Sequence, residues 1–396
     1  IVACLVGSEM CIRDSLKAWL CGLDINKRVF ESLHIQANYL FKNTERHLLG
    51  NHYFTNLKAL LFAGIIFKEM PWLDLANSEL MKELEEQVLQ DGANFELSPM
   101  YHSIMLVDML DMLNILNSYP EYSNRDLYIK INQLIPKMFK YMKSMSHPDG
   151  GVSFFNDSVN GIAPPNKIIE DYGKRLGFKN YVLDQTRLTL IDNKNSGYIV
   201  GTLDSCKLIF DASPVGPDYI PGHAHADTLS FEFSIGKERV FVNSGVSHYE
   251  FDKKRIHQRK TVSHNTVQIN KKDSSQVWSS FRVGKRAKIT DRSCFINDKH
   301  EIYMNASHNG YSSFLNKCIH SRDIKLRNNS LNINDNIYGK FRSAIACFYF
   351  HPNLRVSFEN NIIKVQGKSF VMTANLEKFS AKISNCLLYT SDAADD

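Results

Sequence analysis

The chain has 396 residues, of which 43% are hydrophobic, 22% charged and 11% aromatic, and its net charge is +5. This composition is typical of a folded protein large enough for two domains, and it excludes a disordered tail, a collagen-like fibre and a small disulfide scaffold. The longest apolar run, 57–67, is too short for a membrane span and fits a buried helix.

The two ends of the chain look unrelated to the fold. Residues 5–15 and 386–391 can be back-translated into reverse-complementary DNA strings that resemble the end of a sequencing-library transposon. We therefore predict that 1–15 and 386–396 are adapter-derived scars on a fragment truncated at both ends. Without these ends, which carry one basic and five acidic residues, the net charge is +9 and the cysteines fall from eight to five. Five widely spaced cysteines with no CxxC pair argue against a disulfide framework and a thiolate metal site.

The apolar pattern of 16–190 is helical. It predicts helices over 51–67, 78–90, 100–116 and 126–145, with Asn77 or Ser78 as the N-cap of the second helix. The run 148–151, Pro-Asp-Gly-Gly, ends the fourth helix. Helix pairs joined by short polar turns favour a helical solenoid or toroid.

From about 191 to 385 the pattern alternates with period two. Residues 228–236 and 237–243 predict a hairpin that turns at Gly236. Further short strands are predicted within 264–270, 287–290, 301–308, 318–326, 330–337 and 362–367. Strands at this spacing, with no helices between them, are typical of an antiparallel β-sandwich. The predicted fold class is therefore α+β multidomain, an all-helical domain followed by an all-β domain.

Residues able to carry chemistry cluster in four places. They are Asn51-His52 at a helix start, 98–102 (SPMYH) after Glu96, 222–227 (GHAHAD), and 263–266 (SHNT) opening a strand. A lone histidine at such a position is more often a structural hydrogen-bonding group. His-x-His is the stronger signal, because alternate residues of a strand share one face and can bind a single ion. A metal cupin would need an acid at a set spacing beyond the second histidine, at the places that Leu229 and Ser230 occupy, and the first nearby glutamate is Glu232, so we set that fold aside.

Together these segments resemble the heparinase II/III-like polysaccharide lyases. The strings NHYFTNLKALLFAG, DGANFELSPMYH and HPDGGVSFFND resemble the helical part of that family. The strings GHAHADTLSFEF, VNSG and RKTVSHNTVQIN resemble its C-terminal β domain. The resemblance implies an (α/α) toroid, incomplete here, over 16–190 and an antiparallel β-sandwich over 191–385, with the active site in the cleft between them.

The resemblance also implies a β-elimination beside a uronic acid. Asn51 and His52 match the pair that neutralises the uronate carboxylate, which must be stabilised before the C5 proton can leave. Tyr101 and His223 match the catalytic tyrosine and histidine. Two assignments are open: Tyr101 serves as both base and acid, or Tyr101 is the acid and His223 is the base. The sequence does not decide between them. Tyr249 is a looser match to a further active-site tyrosine.

The family pattern further implies a structural zinc ion. His225 and His264 match two of its ligands, but the third position holds Asn243 where a carboxylate is expected. Neutral asparagine is the poorer zinc ligand, so we expect a weakened site. No organic cofactor is implied.

Two functions from different classes stay open, together with a weaker third. The favoured function is an active lyase on an anionic polysaccharide, and the resemblance implies a periplasmic or extracellular location. The rival function is that of a lyase-like protein that binds an acidic glycan without turnover. The complete set of catalytic positions favours the enzyme, and Asn243 mildly favours the rival. Nucleic-acid binding lacks a basic run with interleaved aromatic residues. Three basic residues have two interpretations: they contact an anionic polymer, or they belong to a solvated turn. They are Arg255, Arg259 and Lys260, and we slightly prefer the solvated turn.

Overall fold

The computed structural model describes residues 26–179, 187–313 and 317–375, with a few isolated residues outside these ranges. Of the two predicted scars, 386–396 lies outside the described residues, and of 1–15 only residues 12, 14 and 15 are described. Cys206, Cys294, Cys318 and Cys347 are free thiols, and Cys21 lies outside the described part. None of the described helices has the length and apolar character needed to cross a bilayer.

The chain divides into two compact units. Unit 1 comprises 1–92, 104–139 and 169–180, and unit 2 comprises 93–103, 140–168 and 181–396. Unit 2 therefore joins the β-rich second half of the chain to two segments that the sequence analysis assigns to the helical domain.

Seven α-helices and two short 3₁₀ turns are present in the described part. The helices are α1 (Lys27–Lys42), α2 (Gly50–Phe67), α3 (Met70–Gln87), α4 (Pro99–Ser118), α5 (Arg125–Ser144), α6 (Asn166–Arg175) and α7 (Lys253–Gln258). The 3₁₀ turns are Pro120–Tyr122 and Thr261–Ser263. The predicted helices over 51–67, 100–116 and 126–145 are confirmed within one or two residues at each end.

The start of α3 corrects the sequence analysis. Asn77 and Ser78, predicted as caps, lie inside a helix that begins at Met70. Pro71 occupies the first turn, where its missing N–H costs nothing, and Leu73 and Ala76 extend the buried face ahead of the predicted start.

Helices α2 and α3 pack closely at a glycine. A Cβ atom at Gly64 would lie 2.8 Å from the side chain of Leu73 and 3.1 Å from its backbone nitrogen. The α2 helix ends at Phe67 and is followed by Lys68, whose φ of 59° is left-handed, and the chain then turns directly into α3. The short connection and the small residue bring the two apolar faces together.

All strand pairs of the described part are antiparallel. The largest sheet has the order β1-β2-β3-β4-β5, formed by β1 (Leu188–Asp192), β2 (Tyr198–Leu203), β3 (Cys206–Asp211), β4 (Phe231–Ile235) and β5 (Glu238–Phe241). A four-stranded sheet, β12-β11-β10-β9, contains β9 (Ile289–Ile296), β10 (Ile302–His308), β11 (Ile319–Arg327) and β12 (Ser330–Tyr338). Smaller sheets pair β6 (Val267–Ile269) with β13 (Ala344–Ala346), β7 (Val277–Trp278) with β8 (Arg282–Val283), and β14 (Arg355–Glu359) with β15 (Ile362–Gln366) and β16 (Val371–Asn375).

The two larger sheets share one hydrophobic core. Phe210 and Phe231 from the first sheet and Ile302, Met304 and Ile324 from the second belong to a single cluster of buried side chains. The order of the elements, six helices followed by antiparallel sheets, confirms the predicted helical N-terminal part and β-rich second half. The toroid and the sandwich stay predictions.

The connections in unit 2 contain one confirmed turn and two departures from expectation. The hairpin of β4 and β5 turns at Gly236, whose φ of 57° is left-handed, as predicted. The segment 222–230, which carries His-x-His, is a loop between β3 and β4 instead of a strand. A short helix, α7, interrupts the strands that were expected to follow one another without helices.

Candidate active site

Tyr101 lies in the first turn of α4, where two serines fix the start of the helix. The Ser98 hydroxyl accepts from the backbone N–H of Tyr101 at 3.3 Å and donates to the backbone carbonyl of Asp157 at 2.7 Å. The Ser158 hydroxyl accepts from the backbone N–H of Met100 at 3.2 Å. Hydroxyls at a helix N-terminus satisfy N–H groups that have no partner within the helix. These bonds hold the first turn of α4 against residues 157–158.

His223 lies in the β3–β4 loop and packs on Tyr101. The two ring centroids are 4.0 Å apart, with 32° between the ring planes. His223 Nδ1 is 3.0 Å from Asp157 Oδ2, and the backbone N–H of Asp157 donates to the His223 carbonyl at 3.1 Å. The His223 side chain is 13% exposed, whereas that of Asp157 is fully buried. A ligand can therefore reach the histidine but not the carboxylate behind it.

Tyr249 completes an aromatic group around His223. Its hydroxyl accepts a hydrogen bond from the Tyr101 hydroxyl at 3.2 Å, and its ring centroid is 6.3 Å from that of His223. Phe281 stacks on Tyr249 with centroids 5.7 Å apart, and the Arg255 guanidinium lies 5.3 Å from the Tyr249 ring centroid. Two phenol hydroxyls and one imidazole thus converge in unit 2.

Asp157 is the residue of this site whose role the sequence analysis missed. It accepts hydrogen bonds from His223 and from His225, whose Nε2 is 2.8 Å from Oδ1. The Arg255 guanidinium forms a two-pronged ion pair with both carboxylate oxygens and also donates to the Ser280 carbonyl at 2.8 Å. Asp157 is the last residue of the string HPDGGVSFFND, which resembles the family pattern, and this could have marked it as a candidate site residue. The neighbouring sequence does not show which side chains it contacts.

Arg255 and Arg259 correct the prediction of a solvated turn. Both side chains are fully buried. Arg255 is neutralised by Asp157, and Arg259 donates to the carbonyls of Ala224 at 2.9 Å and Ser279 at 3.0 Å. Guanidinium groups with several donors are the cations best suited to such buried positions.

The electrostatics of the site follow from this buried carboxylate. Burial alone would raise the pKa of Asp157, but hydrogen bonds from His223, His225 and Arg255 hold it well below its usual range. Burial also opposes protonation of His223, yet the bond to Asp157 and the charge of Glu96 leave its pKa raised. Burial, the contact with Tyr249 and the charges of Asp157 and Glu96 raise the pKa of Tyr101 far above that of a free phenol.

Asn51 and His52 lie in the first turn of α2, in unit 1. The helix begins after Leu49, which has a left-handed φ of 58° and makes no side-chain cap. His52 is 46% exposed, and its Nδ1 is 3.7 Å from Glu45 Oε2. Both side chains belong to a different compact unit from Tyr101 and His223, and their contact with a uronate carboxylate stays a prediction.

Both histidines of the His-x-His pair contact the same carboxylate, that of Asp157. His223 and His225 contact different oxygens of Asp157. Beyond that point they diverge, since His223 packs on Tyr101 and His225 packs on His264, with ring centroids 5.2 Å apart. Because the segment is a loop, alternation along a strand does not place these two rings on one face.

His225 and His264 have the properties of metal ligands. Burial lowers the pKa of His225 to about 4 and that of His264 to about 3, so both imidazoles are neutral and keep a lone pair. His225 Nδ1 is buried without a hydrogen-bond partner. His264 Nε2 forms no hydrogen bond of normal geometry, although the backbone of Gln258 lies close enough to favour protonation.

The carboxylate nearest these two rings is Asp227. The ligand atoms of His225, Asp227 and His264 all lie within 4.8 Å of one another, and all three residues are buried. Asn243, the predicted third position, has its Oδ1 3.2 Å from His264 Nδ1. Two histidines and one carboxylate form a donor set that suits zinc, so the residues present fit such an ion.

Comparisons with known proteins agree with this layout. Residues 27–173 match the family described as heparinase II/III N-terminus, and residues 186–385 match the one described as heparinase II/III-like, C-terminal. A heparin-sulfate lyase of Pedobacter heparinus is 27% identical over 271 residues, which are 60% of this chain and 38% of the relative. A heparin-sulfate lyase of Bacteroides stercoris is 23% identical over 306 residues, 69% of this chain and 44% of the relative. The chain thus spans less than half the length of these curated relatives.

Two solved structures share the fold. A heparan sulfate lyase from Pedobacter heparinus matches with a TM-score of 0.61 and 21% identity, over 86% of this chain and 54% of that one. A structure described as heparinase III matches with a TM-score of 0.64 and 14% identity, over 93% of this chain and 74% of that one. At these identities the likeness concerns the fold alone.

Proposed function

This chain belongs to the heparinase II/III-like family, and we propose that it is part of a polysaccharide lyase that cleaves an anionic, uronic-acid-containing polysaccharide by β-elimination. The observation that carries the proposal is the contact of Tyr101 and His223 in front of the buried Asp157. Relatives named heparin-sulfate lyases support the reaction class.

The reaction needs a base, an acid and a stabilised carboxylate. The base removes the C5 proton of the uronate; the electron pair forms the C4–C5 double bond, and the C4–O bond breaks with its pair on the leaving oxygen. The acid then protonates that oxygen. The proton at C5 is removable only when the adjacent carboxylate is neutralised, a role that we assign to Asn51 and His52.

We assign the base to His223. Asp157 is ionised and can only accept, so the His223 Nδ1 donates to it. The raised pKa makes His223 a stronger base, and its neutral form, which dominates above that pKa, has the lone pair on Nε2. A carboxylate behind an imidazole fixes both the tautomer and the ring direction, and it stabilises the imidazolium formed when the proton arrives. The accessible part of His223 then meets the substrate as an acceptor.

We assign the acid to Tyr101. Its raised pKa keeps the phenol protonated at neutral pH, which suits a proton donor and disfavours the phenolate that a tyrosine base would require. Tyr249 accepts from Tyr101 at 3.2 Å in the absence of a leaving oxygen and holds the hydroxyl in place. Of the two assignments that the sequence leaves open, these contacts favour separate base and acid.

A zinc ion at His225 and His264 would be structural. It would cross-link the β3–β4 loop to the segment before β6 and so hold the loop that carries His223. None of the proton transfers above needs it. The rival function, glycan binding without turnover, is favoured only by Asn243, which replaces the carboxylate expected at that position.

The test is a panel of polyuronates incubated with the chain while the ultraviolet absorbance of unsaturated uronate is followed. The mass of the products separates elimination from hydrolysis, because hydrolysis adds one water across the cleaved bond and elimination adds none. Unsaturated products without added water support the lyase. Saturable binding of a polyuronate without products, by protein shown to be folded, would favour the rival function.

A further inference from the structure

We propose that Asp227 supplies the carboxylate of the metal site in this chain, completing a set with His225 and His264, while Asn243 is not a ligand. The site differs from the family pattern implied by the sequence, which places the acid at position 243. The inference concerns the metal alone and does not depend on lyase activity.

The first argument is geometric. Nδ1 or Nε2 of the two histidines and a carboxylate oxygen of Asp227 lie within 4.8 Å of one another. Ligand atoms of a tetrahedral zinc ion lie ~3.3 Å apart, given bonds of about 2.0 Å, so rotamer adjustments of about 1 Å close the site. A water molecule would occupy the fourth position.

The second observation is that Asp227 is buried without a cationic partner in the described part of the chain. The residue is 4% exposed, and its carboxylate accepts a long hydrogen bond, 3.5 Å, from the backbone N–H of Asn156. Within the part of the chain that the structure describes, Asp227 forms no ion pair. Buried carboxylates are normally paired with a cation or coordinate a metal, because an uncompensated charge in the interior is costly. A divalent cation bound by Asp227 and the two imidazoles would supply that compensation.

A neighbouring carboxylate shows the contrast. Asp211 is also buried, but its Oδ1 accepts from both the backbone N–H and the hydroxyl of Ser213. Asp211 therefore has short local donors of its own, whereas Asp227 has none of comparable length. This difference singles out Asp227 as the carboxylate available to a metal.

Asn243 is placed to orient a ligand. Its Oδ1 is 3.2 Å from His264 Nδ1, which leaves Nε2 as the nitrogen that would face the metal. Its backbone N–H donates to Glu232 Oε1 at 2.8 Å, which fixes the residue in place. An acceptor on one imidazole nitrogen selects the tautomer that leaves the other free to bind a metal. An amide serves this purpose as well as a carboxylate does.

The test measures zinc affinity directly. The chain is stripped with a chelator and titrated with Zn²⁺ in competition with a chromophoric chelator, and Co²⁺ is added to parallel samples for its ligand-field spectrum. We expect Asp227→Asn to weaken Zn²⁺ binding by about 10³-fold, and Asn243→Ala to weaken it by about tenfold, the lower end of the range for outer-shell groups. Asp149→Asn, which removes a partly exposed carboxylate paired with Arg239, is the matched control and leaves the affinity unchanged.

Three results would overturn the proposal. They are wild-type affinity in Asp227→Asn, equal losses in Asp227→Asn and Asn243→Ala, and no Zn²⁺ binding to the folded wild-type chain. Circular dichroism of the metal-free variants checks folding. If Asp227→Asn does not fold, Asp227→Glu decides instead: a changed Co²⁺ spectrum with retained binding supports the ligand, and an unchanged spectrum contradicts it.

Discussion

Asp157 and His223 are joined twice, by the side-chain contact of 3.0 Å between Oδ2 and Nδ1 and by the backbone bond of 3.1 Å from the Asp157 N–H to the His223 carbonyl. The two residues are 66 positions apart in the chain. The carboxylate is fully buried and Arg255 holds its far side, so its position is fixed before any substrate arrives. This arrangement sets the direction in which the imidazole can take a proton.

Replacing Asp157 by asparagine should lower kcat by about 10²- to 10⁴-fold, because the amide no longer selects the His223 tautomer with a free Nε2. The measurement is steady-state kinetics on the polyuronate that the panel identifies. Urea unfolding measures how much stability is lost because Arg255 no longer has a carboxylate partner. Asp149→Asn is the matched control and should keep wild-type kcat. Equal kcat in the two variants would refute the orienting role.

The two tyrosines should differ in importance although their hydroxyls are in contact. Tyr101→Phe removes the assigned acid and should reduce kcat by at least about 10²-fold. Tyr249→Phe removes only the acceptor of the Tyr101 hydroxyl and should cost about tenfold. Both variants lose one hydroxyl, so each controls for the other. A larger loss of kcat in Tyr249→Phe than in Tyr101→Phe would indicate that Tyr249 is the acid.

His52→Ala should reduce kcat/KM strongly, by about 10²-fold, because the developing charge on the uronate carboxylate loses a donor. His47→Ala is a suitable control, since it removes a nearby exposed histidine that precedes α2. The kinetics of both variants are measured on the same polymer. An equal loss of kcat/KM in the two variants, or no loss in His52→Ala, would contradict a role of His52 in the reaction.

Lys207 gives a pH prediction for stability. Burial lowers its pKa to about 8, while its Nζ donates to the carbonyls of Lys143 and Ser146. Between pH 8 and about 10.4 the unfolded chain keeps this proton and the native protein has lost it, so the contribution of Lys207 to the free energy of unfolding rises with pH. Relative to Lys207→Met, the wild type should gain about 2 kcal/mol between pH 7 and pH 10. Urea unfolding across this range tests it, and parallel curves for the two proteins would contradict it.

Local patterns predicted the elements well where one signal dominated. The helix over 51–67 is observed as Gly50–Phe67 because its apolar residues recur at helical spacing, and the hairpin turns at Gly236 because only a left-handed residue fits there. The α3 cap was misplaced because Asn77 and Ser78 are common cap residues, whereas Pro71 gave the stronger start signal.

The contacts around the site residues were harder to predict from the sequence than the elements were. The grouping of Tyr101, His223 and Tyr249 followed from the resemblance, and the structure brings the three together. Arg255 was read as part of a solvated turn because its buried partner, Asp157, is 98 residues away. Pairing over such a distance depends on how the β3–β4 loop and α7 fold, which no local pattern encodes.

The most direct test of the lyase assignment is the appearance of unsaturated uronate from the panel polymer, followed side by side for the wild-type chain and Tyr101→Phe at equal folded concentration. The account predicts a rising ultraviolet signal that Tyr101→Phe reduces by at least about 10²-fold while polymer binding is retained. An equal signal from both proteins would contradict the assignment of Tyr101, and saturated products that together carry one added water would contradict β-elimination itself.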